Sequence, residues 1–139
     1  MALDFDRSII GAEFDRTVFN PVARDEVVEY ATAAGEPIPS SDEPAPIVSP
    51  TFVLRIRGRR FMPANLPANL GRAGFDAGKD IEFGAPIRVG DVLTAVSTVH
   101  DIYEKTGRTG SMAFLVLRTV VTNQRDESVA VIDQKMMFR

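Results

Sequence analysis

Past Lys79 the sequence admits little besides antiparallel sheet. Residues 79–139 divide into four apolar-rich stretches separated by short turn signals. "KDIEFGAPI" reads as a short strand ended by Pro86, since proline has no N–H to give a ladder. "RVGD" is a tight turn, and "DVLTAVSTVHDIYEK" after it is a long strand of alternating character. "TGRTG" has the composition of a hairpin turn. "SMAFLVLRTVVTN" is apolar at nearly every position, as expected of a central strand covered on both faces. "QRDES" turns the chain once more, and "VAVIDQKMMFR" is the last strand. The connections are too short for parallel crossovers, so the pattern is a four-stranded antiparallel meander.

The N-terminal half is different. After a short strand, "NPVARDEVVEYATAAG" is the clearest helix, with Val27, Tyr30, Ala31 and Ala34 at i, i+3, i+4 and i+7 forming a buried stripe. Asn20 and Pro21 supply a start signal, and Gly35 suits the left-handed position past the end. "EPIPSSDEPAPIVSP" follows, with five prolines in fifteen residues, and is a stiffened irregular loop. "SPTFVLRIRGRRF" reads two ways. Ser49 and Pro50 are helix-start residues, yet Phe52, Leu54 and Ile56 alternate with Val53, Arg55 and Arg57 as a strand would. "MPANLPANLGRAGFDAG" is another Pro/Gly/Asn-rich connection.

The 139 residues fit one domain with a core of its own, and the apolar share of 45% is that of a soluble globular chain. Without cysteine, disulfides and thiolate metal sites are excluded, and a single histidine makes a zinc site unexpected. The start "MALDFDRSII" has no signal-peptide pattern, and no stretch reaches the ~20 apolar residues of a membrane span. The expectation is a cytoplasmic protein. Charge is unevenly placed: residues 1–45 hold ten acids against three arginines, whereas residues 46–75 hold five arginines and no acid. A local cluster on a chain of net charge −3 argues against nucleic-acid binding. Arg57, Arg59 and Arg60 in "RIRGRR" suit either a small polyanionic ligand or a solvated face.

The order of three segments carries a family resemblance. "YATAAGEPIPSSDE", "APIVSPTF" and "GAPIRVGDVLTAVSTVHDIYEKTGRTGSMAFLV" resemble the MaoC-like hydratase/dehydratase family, more narrowly its fatty-acid-synthase-type, N-terminal branch. The likeness runs from about Gly11 to Arg139, and "P-x-x-x-GD" at Pro86 to Asp91 followed by "YEKxGRxG" is its most specific part. It implies a single hot dog domain over residues 1–139, an α+β fold in which a curved antiparallel sheet wraps a long central helix. "SPTFVLRIRG" would be that helix.

The family acts on acyl thioesters, hydrating a trans-2-enoyl group or dehydrating a 3-hydroxyacyl group without a cofactor. Active members carry a loop like G-D-x-N-P-x-H, whose aspartate and histidine hold a water and move its protons. Backbone N–H groups at the helix N-terminus meet the thioester oxygen. Here the carboxylate position holds Glu36 and the histidine position Ser41, the two candidates for catalysis. Serine bonds as well but is no base near pH 7 without an activating neighbour, and glutamate is one methylene longer than aspartate. His100, the only histidine, alternates onto the face of Val92, Thr94, Val96, Thr98 and Ile102, and reads as a structural or surface residue.

The resemblance therefore implies a non-catalytic, acyl-binding subunit paired with a second hot dog chain that carries the intact loop. Tyr30, Thr51 and Phe52 would lie at the acyl group, and Arg57, Arg59 and Arg60 near the phosphates of coenzyme A or an acyl carrier. Hot dogs need a partner to cover the sheet edge and helix. Two other readings stay open: a homodimeric thioesterase or hydratase using Glu36 as lone base, and an acyl-CoA binding protein without chemistry.

Overall fold

The computed structural model describes residues 3–139. Five strands form one antiparallel sheet: β1 (Glu13–Val18), β2 (Gly74–Phe83), β3 (Thr94–Gly107), β4 (Gly110–Thr122) and β5 (Ser128–Phe138). Their order is β1-β3-β4-β5-β2, with β1 and β2 as the two edges. The expected four-stranded meander is therefore only three-stranded, β3-β4-β5: residues 84–93 carry the chain from β2 at one edge past β5 and β4 to β3, and β2 pairs with β5 instead. Strand β2 starts at Gly74, earlier than Lys79, because Gly74 to Asp76 already pair with Met136 to Phe138. The hairpin glycines Gly107 and Gly110 pair with each other, leaving a two-residue turn between β3 and β4.

One face of the sheet holds the core. Leu93, Ala95, Val121, Ala130 and Ile132 pack there against Val22 and Val27 of the N-terminal half and against Val48, Phe52 and Val53. A second cluster joins Ile9 to Val99, Ile102, Leu115 and Leu117 farther along the sheet. The outer face of central strand β4 is not fully covered: Phe114, Arg118 and Val120 are only half-buried.

The one α-helix among the described residues that exceeds two turns is α1 (Arg24–Ala34), and no helix is long and apolar enough to cross a membrane. It begins later than Asn20 and Pro21 predict. Val22 is held outside it, donating its N–H to the Asp91 carbonyl at 2.9 Å and accepting from Gly90 N–H at 2.8 Å. Gly35 ends α1 in the left-handed conformation, φ 68°, as expected. Val27 and Ala31 are buried and Tyr30 half-buried, but Ala34 is exposed because the chain leaves the core at that turn.

The expected long central helix is not what the structure contains. "SPTFVLRIRG" forms only a six-residue 3-10 helix, Pro50–Arg55. Two things stop it. Phe52 and Val53 are consecutive and both almost fully buried, which a tight 3-10 turn wedged in the core permits. Farther on, the backbone N–H groups of Arg59 and Arg60 are taken by the Asp15 carboxylate, so the chain cannot continue as a helix.

The face assignment of His100 is also corrected. The register shifts between Val99 and Asp101, so His100 is the extra residue of a β-bulge. Beyond it the alternation changes phase: Val99 and Ile102 are both buried, and His100 is exposed. The "P-x-x-x-GD" motif proves to be scaffolding. Gly90 has φ 95°, and buried Asp91 accepts from Arg88 N–H and Gln124 Nε2, both at 2.9 Å. Val48 N–H bonds Ile87 O and Val89 N–H bonds Pro46 O, which pins the proline-rich loop against this turn.

Candidate functional site

The loop after α1 and the 3-10 helix meet in a chain of side-chain hydrogen bonds. Glu36 is half-buried, its N–H bonded to Ala31 O at 2.8 Å as part of the helix cap. Its Oε1 accepts from Ser49 Oγ at 3.0 Å. Ser49 Oγ lies 3.1 Å from Thr51 Oγ1, which in turn bonds the Tyr30 hydroxyl. The Tyr30 ring stands edge-on to Phe52, centroids 5.6 Å apart, so a polar chain runs along the border of the core. Arg55 braces the same place, its guanidinium over Phe52 and bonded to Glu26 O.

Four of the expected residues, Tyr30, Glu36, Thr51 and Phe52, are therefore brought together. Ser41 is not among them. It sits exposed on a turn of the proline loop, and none of the hydrogen bonds in the cluster reaches it. Ser49 is the member that sequence reasoning missed, its place before Pro50 having suggested only a helix cap. The six-residue 3-10 helix is also too short to present a helix dipole to a thioester oxygen. One carboxylate and three hydroxyls can orient a water or a polar ligand group, but they include no imidazole or second carboxylate to share the proton handling.

A cavity of about 290 Å³ opens farther along the inner face of the sheet. Val53, Leu54 and Ile56 of the 3-10 segment form one wall, and Leu117, Ile132 and Met136 form part of the sheet wall. Ser97 and Thr119, whose hydroxyls lie 3.0 Å apart, set a polar spot in it. Arg57, Arg60 and Lys79 border the same cavity, whereas Arg59 does not. The three arginines make none of the ion pairs found among the described residues, which join Glu13–Arg16, Arg118–Asp133 and Arg125–Glu127. Asp76 also borders the cavity, but its carboxylate is engaged by Gly78 N–H and Gln134 Nε2, both at 2.9 Å, and these bonds lower its pKa. Lys79 and Gln134 escaped the sequence reading because the period of their strands does not say which face is inward, and Asp76 because "GRAGFDAG" was read as part of a connection.

His100 lies apart from both places. Its bulge falls on β3, and its charge adds only the smallest of the influences that lower the Asp133 carboxyl, which are led by the hydrogen bonds from Arg118.

Sheet order, the short helix on the inner face and the cavity beside it define a hot dog protein of the MaoC-like dehydratase type. The chain belongs to the family described as "FAS1-like, dehydratase domain region", which matches residues 8–132. A UPF0336 protein of Streptomyces avermitilis is 30% identical over 122 residues, covering 77% of this chain and 78% of that protein. Among solved structures, the MaoC-like dehydratase from Rhodospirillum rubrum superposes with a TM-score of 0.62 at 19% identity, covering 96% of this chain and 95% of that one. The C-terminally truncated HadBC complex of Mycobacterium tuberculosis, a 3R-hydroxyacyl-ACP dehydratase, gives a TM-score of 0.65 at 20% identity over 93% of this chain and 96% of that one. At these identities the structural likeness establishes the fold.

Proposed function

We propose that this chain is the acyl-binding, non-catalytic subunit of a heteromeric enoyl-thioester hydratase or 3-hydroxyacyl-thioester dehydratase. The observation that carries the reading is the company Glu36 keeps. Its carboxylate bonds Ser49, Ser41 is turned out on the loop, and the one imidazole of the chain is on a bulge of β3. Hydration needs a group to take a proton from water and a group to deliver one at the neighbouring carbon, and one carboxylate among hydroxyls does not provide both.

The chain's part is then to bind. The apolar wall of the cavity takes the acyl group, and Arg57 and Arg60 lie where a carrier's phosphates would meet guanidinium groups. Thr51, Phe52 and Tyr30, expected at the acyl group, do not line the cavity and serve instead in the hydrogen-bonded border beside Val53, and the Arg59 side chain is left to solvent. The catalytic aspartate and histidine come from a second hot dog subunit. HadBC, a complex of the same fold, supports such a pairing.

The test is hydration of a trans-2-enoyl-CoA by the purified chain, then titration with a subunit carrying an intact G-D-x-N-P-x-H loop. No turnover alone and turnover that saturates at a fixed ratio is the expected result. Robust turnover by the isolated chain overturns the reading and makes Glu36 the catalytic base.

A further inference from the structure

Asp15 makes an unusual set of bonds for a strand residue. It follows a bulge in β1, where the register shifts between Glu13 and Asp15, so that Phe14 and Asp15 both turn toward the inner side of the sheet. Its Oδ2 accepts from Arg59 N–H at 3.1 Å and its Oδ1 from Arg60 N–H at 3.2 Å. Thr17 Oγ1 donates to Oδ2 at 2.8 Å and itself accepts from Arg59 N–H at 3.2 Å. Two successive backbone N–H groups thus close around one carboxylate, in the manner of a backbone anion nest. Gly58 makes the approach possible. A Cβ there would stand 2.1 Å from Asp15 Oδ2, so any other residue would force the carboxylate out of this position.

The clasped segment is the roof of the cavity. Arg57, Gly58, Arg60 and Phe61 all border it; the chain from Ile56 to Ala73 has no regular structure, and it packs on the core only farther along, through Met62, Leu66 and Leu70. Asp15 uses backbone groups and, among the described residues, makes no ion pair with a guanidinium, so both cavity arginines keep their charge for another anion.

We propose that Asp15 and Gly58 form a positioning clasp that aims Arg57 and Arg60 at the cavity mouth and so sets the preference for phosphate-bearing acyl thioesters. The inference rests on the acyl-binding reading above, and it assigns the selectivity to residues outside the loop and outside the arginines themselves. Losing the clasp frees the roof, and two guanidiniums on a mobile loop lose the preorganisation that makes a phosphate contact favourable.

The experiment compares octanoyl-CoA with octanoyl-pantetheine, which has the same thioester but no phosphate, by calorimetry on the full chain. Wild-type protein binds the CoA thioester more tightly, and that advantage shrinks with added salt. Asp15→Ala weakens octanoyl-CoA about tenfold, the loss of one phosphate contact, and leaves octanoyl-pantetheine within about twofold. Gly58→Ala, which keeps the Asp15 carboxylate but pushes it off the Arg59 and Arg60 amides, gives the same split. In both variants the Arg59 and Arg60 amides exchange faster with deuterium, a direct reading of the broken clasp. Equal weakening of both ligands, or none, overturns the clasp while leaving the acyl-binding reading in place. Failure of wild-type protein to bind either thioester sinks that reading, and the clasp with it.

Discussion

Glu36 carries its carboxylate one methylene farther from the backbone than an aspartate would, and Ser49 takes up the extra reach at 3.0 Å. The bond makes Glu36 part of the scaffold between α1 and the 3-10 helix. Glu36→Ala in the complete heteromer should leave the hydration rate within about twofold and cost about 1 kcal/mol of stability, the worth of one ordinary hydrogen bond. Rate and urea titration measure the two effects, and a rate loss of orders of magnitude would make Glu36 catalytic. Arg118 and Asp133 give a second residue-scale test. Their two parallel bonds of 2.8 Å hold the Asp133 carboxyl below its ordinary value of 3.8. A lowered carboxyl pKa stabilises the fold above the unfolded value, and the contribution disappears as pH falls through the folded one. Asp133→Asn should therefore cost about 1 kcal/mol between pH 5 and 8, with the difference from wild type shrinking as pH falls below the ordinary carboxylate value of 3.8. Thermal melts across that range decide it; a constant difference would show that the pair adds nothing electrostatic. At this scale Glu36 and Ser41 were legible as a departure from an active loop. Ser49 and Asp15 were not, because their partners lie 13 and 44 residues away.

Strand β3 shows what period alone reads and what it misses. Alternation from Val92 places Thr94, Val96 and Thr98 on one face, and the half-buried state of all three agrees. Carried past Val99, the same count puts Ile102 with them, but the bulge at His100 returns Ile102 to the core at 3% exposure. A bulge leaves no compositional mark here, so the phase change could not be foreseen. Ile102→Ala should cost about 2–4 kcal/mol as a core truncation. His100→Ala should stay under about 0.5 kcal/mol as a surface change. Equal costs in chemical denaturation would contradict the bulge. The 3-10 segment repeats the lesson. Its helix-start residues were read correctly, but its length was set from outside, by the clasp on Arg59 and Arg60 and by two adjacent side chains entering the core.

For the whole molecule, the sheet's two open edges decide how a partner can join. Strand β1 is six residues long, bulged, and carries Glu13 and Arg16 in an ion pair, features that discourage pairing with another chain. Strand β2 is ten residues long, and nine of its ten residues are exposed, Phe75 and Phe83 by about half. It also contributes Asp76 and Lys79 to the cavity, so a chain added at this edge would sit beside the cavity mouth. A second hot dog docked there would extend the sheet and bring its own loop toward the acyl group, which the proposed division of labour requires. Antiparallel addition leaves a signature in the backbone, because the β2 amides that point away from β5 acquire acceptors. Titrating the chain with its catalytic partner should slow deuterium exchange across residues 74–83 by at least about tenfold and leave β1 unchanged. Protection appearing on β1 while β2 stays open would move the partner to the opposite edge of the sheet, where Phe14 borders the cavity, and would overturn β2 as the docking edge.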